Sequence, residues 1–263
     1  MYSKIVVSIG GSDSGGGAGI QADLRTFMAL KVHGCSVITC VTAQNSRGVD
    51  DLIGIQENLI CCQIESLFKD FKISAIKTGM LLNKAIIEAT AEKLGMYDAP
   101  KIIDPVMVAR SGSRLLEEDA VQAYLDLLFP QADIVTPNIF EAELLTDLEI
   151  KSQKDVERAG ELILNKGVKS ALIKGGGLKS LRGKDFFISN DGKKEWMTHE
   201  HIKTSNTHGS GCTLSAAISG YSALGFGLVD AIKKAKQFTE RSLRNSYKIG
   251  SGPGPLGHDE KFS

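Results

Sequence analysis

The sequence predicts one α/β domain: a mostly parallel sheet with helices on both faces. Two observations carry this. Short apolar, β-branched runs alternate with segments of helical period along the whole chain. Many of those runs stop abruptly at glycine, proline or an acid. In such folds ligands bind beyond the carboxyl ends of the strands. The strand ends are therefore where chemistry is expected.

In chain order, Ile5–Ile9 is a buried strand and Gly10–Gly19 a loop holding six glycines. Ile20, Leu24, Phe27 and Leu30 recur at helical spacing. Val37–Val41 is a strand, Thr42–Gly48 a polar loop and Leu52–Ile55 a short edge strand. A helix runs through Ile60, Ile64, Leu67, Phe68 and Phe71. Ser74–Lys77 is a strand, and Asn83 an N-cap for a helix to Leu94. Lys101–Asp104 is a strand stopped by Pro105, and 117–129 a helix stopped by Pro130. Asp133–Thr136 is a strand stopped by Pro137. Helices follow at Ile139–Leu145 and Val156–Asn165, then a strand at Ala171–Lys174. Asp185–Ser189 and Glu195–Thr198 flank Asn190-Asp191-Gly192 as a hairpin. Two helices close the chain, the last from Leu228 to about Tyr247. The domain is expected over 1–249, with a loose Gly/Pro-rich tail over 250–263.

Composition narrows the function. The chain has 263 residues, 42% hydrophobic and 24% charged, enough for a core and too ordered a mixture for a disordered chain. Lys+Arg and Asp+Glu are both 31, so no basic excess points to nucleic acid or an anionic membrane. Five cysteines, an odd number without a C-x-x-C pair, fit reduced thiols in a cytoplasmic protein. The first residues reach Gly10-Gly11 too soon for a signal peptide, and no run has the length of a membrane span.

The strand ends carry the motifs. In Thr207-His208-Gly209-Ser210-Gly211-Cys212, glycines let the N–H groups of Ser210, Gly211 and Cys212 converge at a helix start. A helix N-terminus carries unpaired donors and partial positive charge, a site for an anion such as phosphate. Cys212 stands at its mouth, although a buried structural cysteine is the plainer reading of that residue alone. Gly17-Ala18-Gly19-Ile20-Gln21-Ala22 fits a loose G-x-G-x-x-A. The ribose-binding acid that should follow a dinucleotide motif is absent from Val37–Thr42, so a nicotinamide enzyme is disfavoured. No P-loop, serine-hydrolase elbow or zinc spacing is present. His208 lies four residues before Cys212, but no orienting partner for a cysteine hydrolase is identifiable. Gln44 and Asn45 offer amides suited to a heteroaromatic edge. Asp104 and Glu141 end two strand units beside prolines and suit a hard cation such as Mg²⁺, which needs only one or two carboxylates. Singly, each is as readily a turn or helix-start acid. Lys174, before three glycines, can reach a phosphate.

Five segments together resemble the hydroxymethylpyrimidine/phosphomethylpyrimidine kinases of thiamine biosynthesis, within the ribokinase-like superfamily. They are Gly10–Asp23, Val41–Val49, Lys77–Leu81, Asp104–Met107 and His208–Ala217. The resemblance implies a three-layer α/β/α sandwich without a separate lid domain. It implies ATP-dependent phosphorylation of 4-amino-5-hydroxymethyl-2-methylpyrimidine, and then of its monophosphate. By the same resemblance Gln44 binds the pyrimidine, with Gly11, Asp23, Met80 and Val106 lining its pocket. Gly209, Ser210, Gly211 and Cys212 form the anion hole, with Cys212 a partly ionised base or an orienting group for the alcohol. Asp104 and Glu141 hold Mg²⁺, Asn138, Lys174 and Gly176 face ATP, and a homodimer is implied. Ser14-Gly15 and Ser210 depart slightly from the family pattern. Pyridoxal and pyridoxine kinases share much of the motif set and are the alternative. A non-catalytic sensor is expected to lack Cys212 or Glu141, and both are present.

Overall fold

The computed structural model describes residues 4–107, 116 and 118–259. Among these, nine strands form one sheet in the order β3-β2-β1-β4-β5-β6-β7-β8-β9. They are β1 (Ile5–Asp13), β2 (His33–Asn45), β3 (Gly48–Gly54), β4 (Ala75–Thr78), β5 (Lys101–Ile103), β6 (Ile134–Val135), β7 (Ser170–Lys174), β8 (Lys184–Ser189) and β9 (Lys194–Thr198). Neighbours from β2 to β7 pair in parallel, and β3, β8 and β9 add antiparallel edges. All nine belong to this sheet, so the described residues hold no separate lid sheet, as expected.

The helices are α1 (Gly19–Ala29), α2 (Glu57–Asp70), α3 (Lys84–Leu94), α4 (Glu118–Ala123), α5 (Ile139–Thr146), α6 (Gln153–Leu164), α7 (Ser210–Ala223) and α8 (Leu228–Arg244). Successive strand residues face opposite layers. Val7, Ile103, Val135 and Ile173 join the core beneath α2 to α6. Ile102, Ile134 and Leu172 join the core beneath α7 and α8, while Val6 meets Phe27 of α1. Buried on both faces, these strands must be apolar throughout, which is why the sequence shows them as runs. The helix starts are equally local. Asn83 accepts from Ile86 N at 3.0 Å, and Asn138 with Glu141 forms a reciprocal capping box.

Three segments differ from expectation. The glycine run does not end the first strand: β1 continues to Asp13, with a register irregularity between Gly10 and Ser12. The polar stretch from Thr42 is likewise strand, because β2 continues to Asn45 and turns tightly into β3. Both extensions carry the sheet past its layers and form one wall of a cleft. The helix expected over 117–129 is α4 followed by a wide π-type turn over Tyr124–Leu128 and a short 3-10 turn. Residue 117 lies outside the described residues.

The segment expected to be loose is docked over 250–259, and 260–263 lie outside the described residues. His208 N donates to Gly254 O at 3.1 Å, and Gly254 N donates to Asn206 Oδ1 at 3.0 Å. Leu256 is 1% exposed, and His258 Nε2 meets Thr213 Oγ1 at 3.0 Å. The glycines here allow close approach instead of mobility: a Cβ on Gly254 would stand 1.9 Å from Tyr247 O.

Burial, with Arg25 nearby, lowers His258 from 6.5 to about 4, against the opposing effect of Asp259 and a hydrogen bond at Leu256. The unfolded chain therefore takes up this proton before the folded one, so the histidine's contribution is present above pH 6.5 and lost as pH falls towards 4. The melting temperature of the wild-type protein is expected to fall more steeply across that window than that of His258→Gln. Parallel curves would remove His258 from the acid response.

Candidate active site

Strand order reverses between β1 and β4, and the carboxyl ends around that point open into one cleft of about 2200 Å³. Every residue singled out from the sequence lines it: Gly11, Asp23, Gln44, Met80, Asp104, Val106, Asn138, Glu141, Lys174, Gly176 and Gly209 to Cys212. One end lies at the β2–β3 hairpin and the other at the loops around Gly176 and His201.

The anion turn is set by a close crossing. Gly209 caps α7 in the left-handed conformation, φ 82°, and a Cβ there would lie 2.0 Å from Gly17 O. The first turn of α7 carries no acid and no side-chain cap; Ser210 N donates to Thr207 O at 3.2 Å, and Gly211 and Cys212 line the cleft. Lys174 Nζ would lie 3.3 Å from a Cβ on Gly211, so an ammonium group stands over the same turn. Two donor types therefore converge on one anion.

A second crossing joins the glycine loop to this turn. Asp13 Oδ2 accepts from Gly17 N at 3.0 Å and Ala18 N at 2.8 Å, and lies 2.9 Å from His208 Nε2. Burial works against the Asp13 carboxylate, but His208 and these amides outweigh it and hold its pKa below the ordinary value. Gln44 Nε2 lies 3.4 Å from His208 Nε2, so the amide expected to read a heteroaromatic edge is held at the junction. His208 is thus a positioning group, not the base of a hydrolase.

The floor carries alternating charge. Asp23 Oδ2 accepts from Lys77 Nζ at 2.7 Å and Ser8 Oγ at 2.5 Å, and neither Asp23 nor Lys77 is more than 1% exposed. Burial opposes the Lys77 ammonium, yet Asp23, Cys212 and Asp104 more than compensate and raise its pKa. Further along, Asp104 Oδ1 accepts from Lys174 Nζ at 2.9 Å and Thr136 Oγ1 at 3.1 Å, and Oδ2 accepts from Ser215 Oγ at 3.0 Å. Glu141 Oε2 accepts from Asn138 N at 2.8 Å. Burial pushes Glu141 up to about 7, with Lys174 lowering and Asp104 raising it. The helix-start reading of Glu141 and the ligand-facing reading thus both hold: one side chain caps α5 and lines the cleft.

The sequence left Cys212 as a partly ionised base or an orienting group; burial pushes its thiol up to about 11. The Lys77 ammonium lowers it, Asp23 and Asp104 raise it, and a hydrogen bond from the Gly19 backbone lowers it. The two carboxylates oppose what Lys77 and the Gly19 amide supply, so burial dominates and favours the protonated thiol.

This arrangement suits a polyanion, set between amides and ammonium groups in the cleft that Gln44, Met80 and Val106 also line. A family model described as phosphomethylpyrimidine kinase matches residues 13–257. The chain belongs to that family. It is 45% identical over 260 residues, 98% of each chain, to a hydroxymethylpyrimidine/phosphomethylpyrimidine kinase of Synechococcus elongatus. Among solved structures, the ADP complex of Bacillus subtilis pyridoxal kinase matches with TM-score 0.90 at 34% identity, covering 97% of both chains. A phosphomethylpyrimidine kinase from Clostridium difficile matches with TM-score 0.81 at 38% identity, covering 90% of this chain and 98% of that one.

Sequence reasoning passed over Lys77, Asp13 and Ser215 as site residues. Lys77 had a signal, a lysine inside an otherwise apolar strand. Asp13 and Ser215 had none beyond their place in quoted segments, because their roles depend on crossings between distant elements.

Gly209→Ala tests the crossing. The left-handed backbone alone costs a non-glycine residue about 1–2 kcal/mol, and the Cβ would meet Gly17 O. The variant is expected to melt lower than the wild type and to lose nucleotide affinity, read by thermal unfolding with and without ATP. An unchanged ATP-induced shift would show that the crossing does not shape the anion turn.

Proposed function

We propose that this protein phosphorylates 4-amino-5-hydroxymethyl-2-methylpyrimidine from ATP, and then phosphorylates the monophosphate to the diphosphate. The observation that carries the reading is the α7 anion turn, flanked by Lys174 and opening on the Gln44 pocket within one cleft. Family membership supplies the substrate class.

Phosphoryl transfer asks a protein mainly for positioning and charge stabilisation. The amides of Gly211 and Cys212 meet charge developing on the transferring group, each such donor being worth roughly 3–4 kcal/mol where it acts. Lys174 adds a fixed positive charge on the nucleotide side, beside Asn138 and Gly176. Gln44 holds the pyrimidine edge, and Gly11, Met80 and Val106 its faces. A side chain on Gly11 would close that pocket, since its Cβ would lie 2.8 Å from Met80 Cε.

Mg²⁺ fits the donor set. Asp104 is close enough to disfavour the charge on Glu141, and both carboxylates stabilise the Lys174 ammonium. They are the residues that would hold the ion, which needs few protein ligands when phosphates are present. It would supply charge neutralisation on the phosphates. No group of three His, Cys, Asp or Glu residues able to hold a metal is found among the described residues, consistent with an ion that shares its shell with substrate.

Cys212 orients the attacking alcohol as a neutral thiol. A homodimer through the outer hairpin is part of the proposal, supported by Val41 and Ile53, which pair in register and are 42% and 68% exposed. A cytoplasmic setting is supported by five free cysteines. No helix among the described residues is long and apolar enough to cross a membrane. A second reading, a pyridoxal or pyridoxine kinase, is favoured by the structural match to pyridoxal kinase.

ATP consumption with the pyrimidine alcohol and then its monophosphate tests the function. Turnover of both is expected, and a higher kcat/KM for pyridoxal in direct competition would favour the second reading. Cys212→Ala is expected to lower kcat for the alcohol about tenfold, the worth of one hydrogen bond, with KM little changed. Cys212→Ser should recover most of that loss. A serine variant as poor as alanine would mean that the thiol itself takes part in proton transfer.

A further inference from the structure

A buried ion pair stands at the Gly176 end of the cleft. Lys236 lies on the buried face of α8 with Ile232, Ala235 and Thr239, at a spacing where a helix ordinarily supplies core residues. Its Nζ donates to Asp185 Oδ2, and both side chains are buried. Exchanging such a pair for apolar residues is often neutral or stabilising, so packing alone does not call for it.

The second oxygen of Asp185 has a specific task. The ladder between β7 and β8 ends at the facing residues Lys174 and Asp185. Gly175 comes next, beyond the ladder, and Asp185 Oδ1 accepts its N–H at 3.0 Å. A Cβ on Gly175 would lie 2.2 Å from Lys184 O and 2.9 Å from Leu181 O, so the turn is pressed against the start of β8. Asp185 thus holds the peptide that joins Lys174 to the tight turn over Gly175–Gly177.

That peptide is the root of two features of the site. On one side, Lys174 Nζ reaches Asp104 Oδ1 at 2.9 Å and stands over Gly211. On the other, Gly176 lines the cleft with open space around its Cα, and a Cβ on Gly177 would meet Ile139 of α5 at 3.2 Å. Rotation of the Lys174–Gly175 peptide would therefore move an ammonium group and a stretch of bare backbone together. Asp185 lines the same cleft.

We propose that Asp185, clamped by Lys236, is a positioning residue for the nucleotide: it sets the Lys174–Gly175 peptide, and through it the Lys174 ammonium and the glycine turn. This rests on the kinase reading above. Lys236 takes one carboxylate oxygen, which holds a single orientation of Asp185 and keeps Oδ1 on Gly175. Among the described residues, the hydrogen bonds of both side chains run to each other and to Gly175, not to the Gln44 pocket.

Two paired replacements test this, each removing both buried charges so that neither is left alone. Asp185→Leu with Lys236→Met takes away the acceptor for Gly175. Asp185→Asn with Lys236→Gln keeps that acceptor and a side-chain hydrogen bond, without charge. The first is expected to weaken ATP binding about tenfold, measured by calorimetry with no pyrimidine present. KM for ATP should rise alike, while KM for the pyrimidine alcohol stays near the wild-type value. The second is expected to bind ATP nearly as the wild type does. If the leucine variant does not fold, Asp185→Ala with Lys236→Met makes the same comparison. A merely structural pair would lower the melting temperature and leave ATP affinity and KM unchanged, and that result would overturn the proposal. So would equal loss of ATP affinity in the two variants, or a matching rise in KM for the pyrimidine. A wild-type protein that bound ATP but turned over neither acceptor would overturn the kinase reading, while the difference between the variants would still decide the role of Asp185.

Discussion

The site depends on the crossing of two glycine segments, residues 13–19 and 206–211. Their backbones approach so closely that a Cβ on Gly209 would meet Gly17 O at 2.0 Å. From this contact follow the direction of α1, the direction of α7 and the space between their first turns. Asp13 fixes it from one side by taking amide hydrogens of its own loop and meeting His208 of the other. The chain after α8 fixes it from behind, with Gly254 bonded to both His208 and Asn206. Two helix N-termini brought together would repel each other. The Gly19 N–H is directed at the Cys212 sulfur, and the Ser210 N–H goes to Thr207 O, which leaves the Gly211 and Cys212 amides for a ligand. The bound anion thus completes a structure that is otherwise held together against its own field.

The charges beneath the crossing follow the same logic. Asp23, Lys77, Asp104, Lys174 and Glu141 alternate in sign along the floor, and most are nearly inaccessible to water. Isolated, each would be expensive to bury; in pairs, the attraction recovers part of the desolvation. Replacing them with apolar residues would often be neutral or stabilising in such a position. Their presence at the ligand edge of the sheet therefore speaks for chemistry and not for stability. Pairing also keeps the lysines cationic, which a lone buried lysine would not be.

Much of this was legible in the sequence because the signals are local. Apolar runs, prolines after strands and the Asn83 and Asn138 caps each report on their own neighbourhood, and the strands and helices lie close to where these signals put them. The anion turn was legible for the same reason: glycine spacing and a helix period sit within ten residues. What was not legible depends on crossings. The glycines of Gly10–Gly11 look like a loop, but parallel pairing with an equally extended β2 makes them strand. The glycines of 250–257 look loose, but Gly252, Gly254 and Gly257 each mark a close backbone approach. The full surroundings of the Cys212 thiol were hidden by the same gap. The helix start that lowers its pKa is visible in the sequence, while the two carboxylates that raise it come from α1 and the end of β5.

The neutral thiol has a consequence for how one pocket handles two acceptors. A thiolate beside the anion turn would repel a phosphate monoester as it approached the γ-phosphoryl group, and so would penalise the second transfer. A neutral thiol does not, and can donate to an anionic oxygen as readily as it orients an alcohol. The negative charge of Asp23 lies deeper, paired with Lys77 at 2.7 Å, so its field at the mouth is largely cancelled. Lys174 and the first turn of α7 line one cleft, where either acceptor would meet the same positive field.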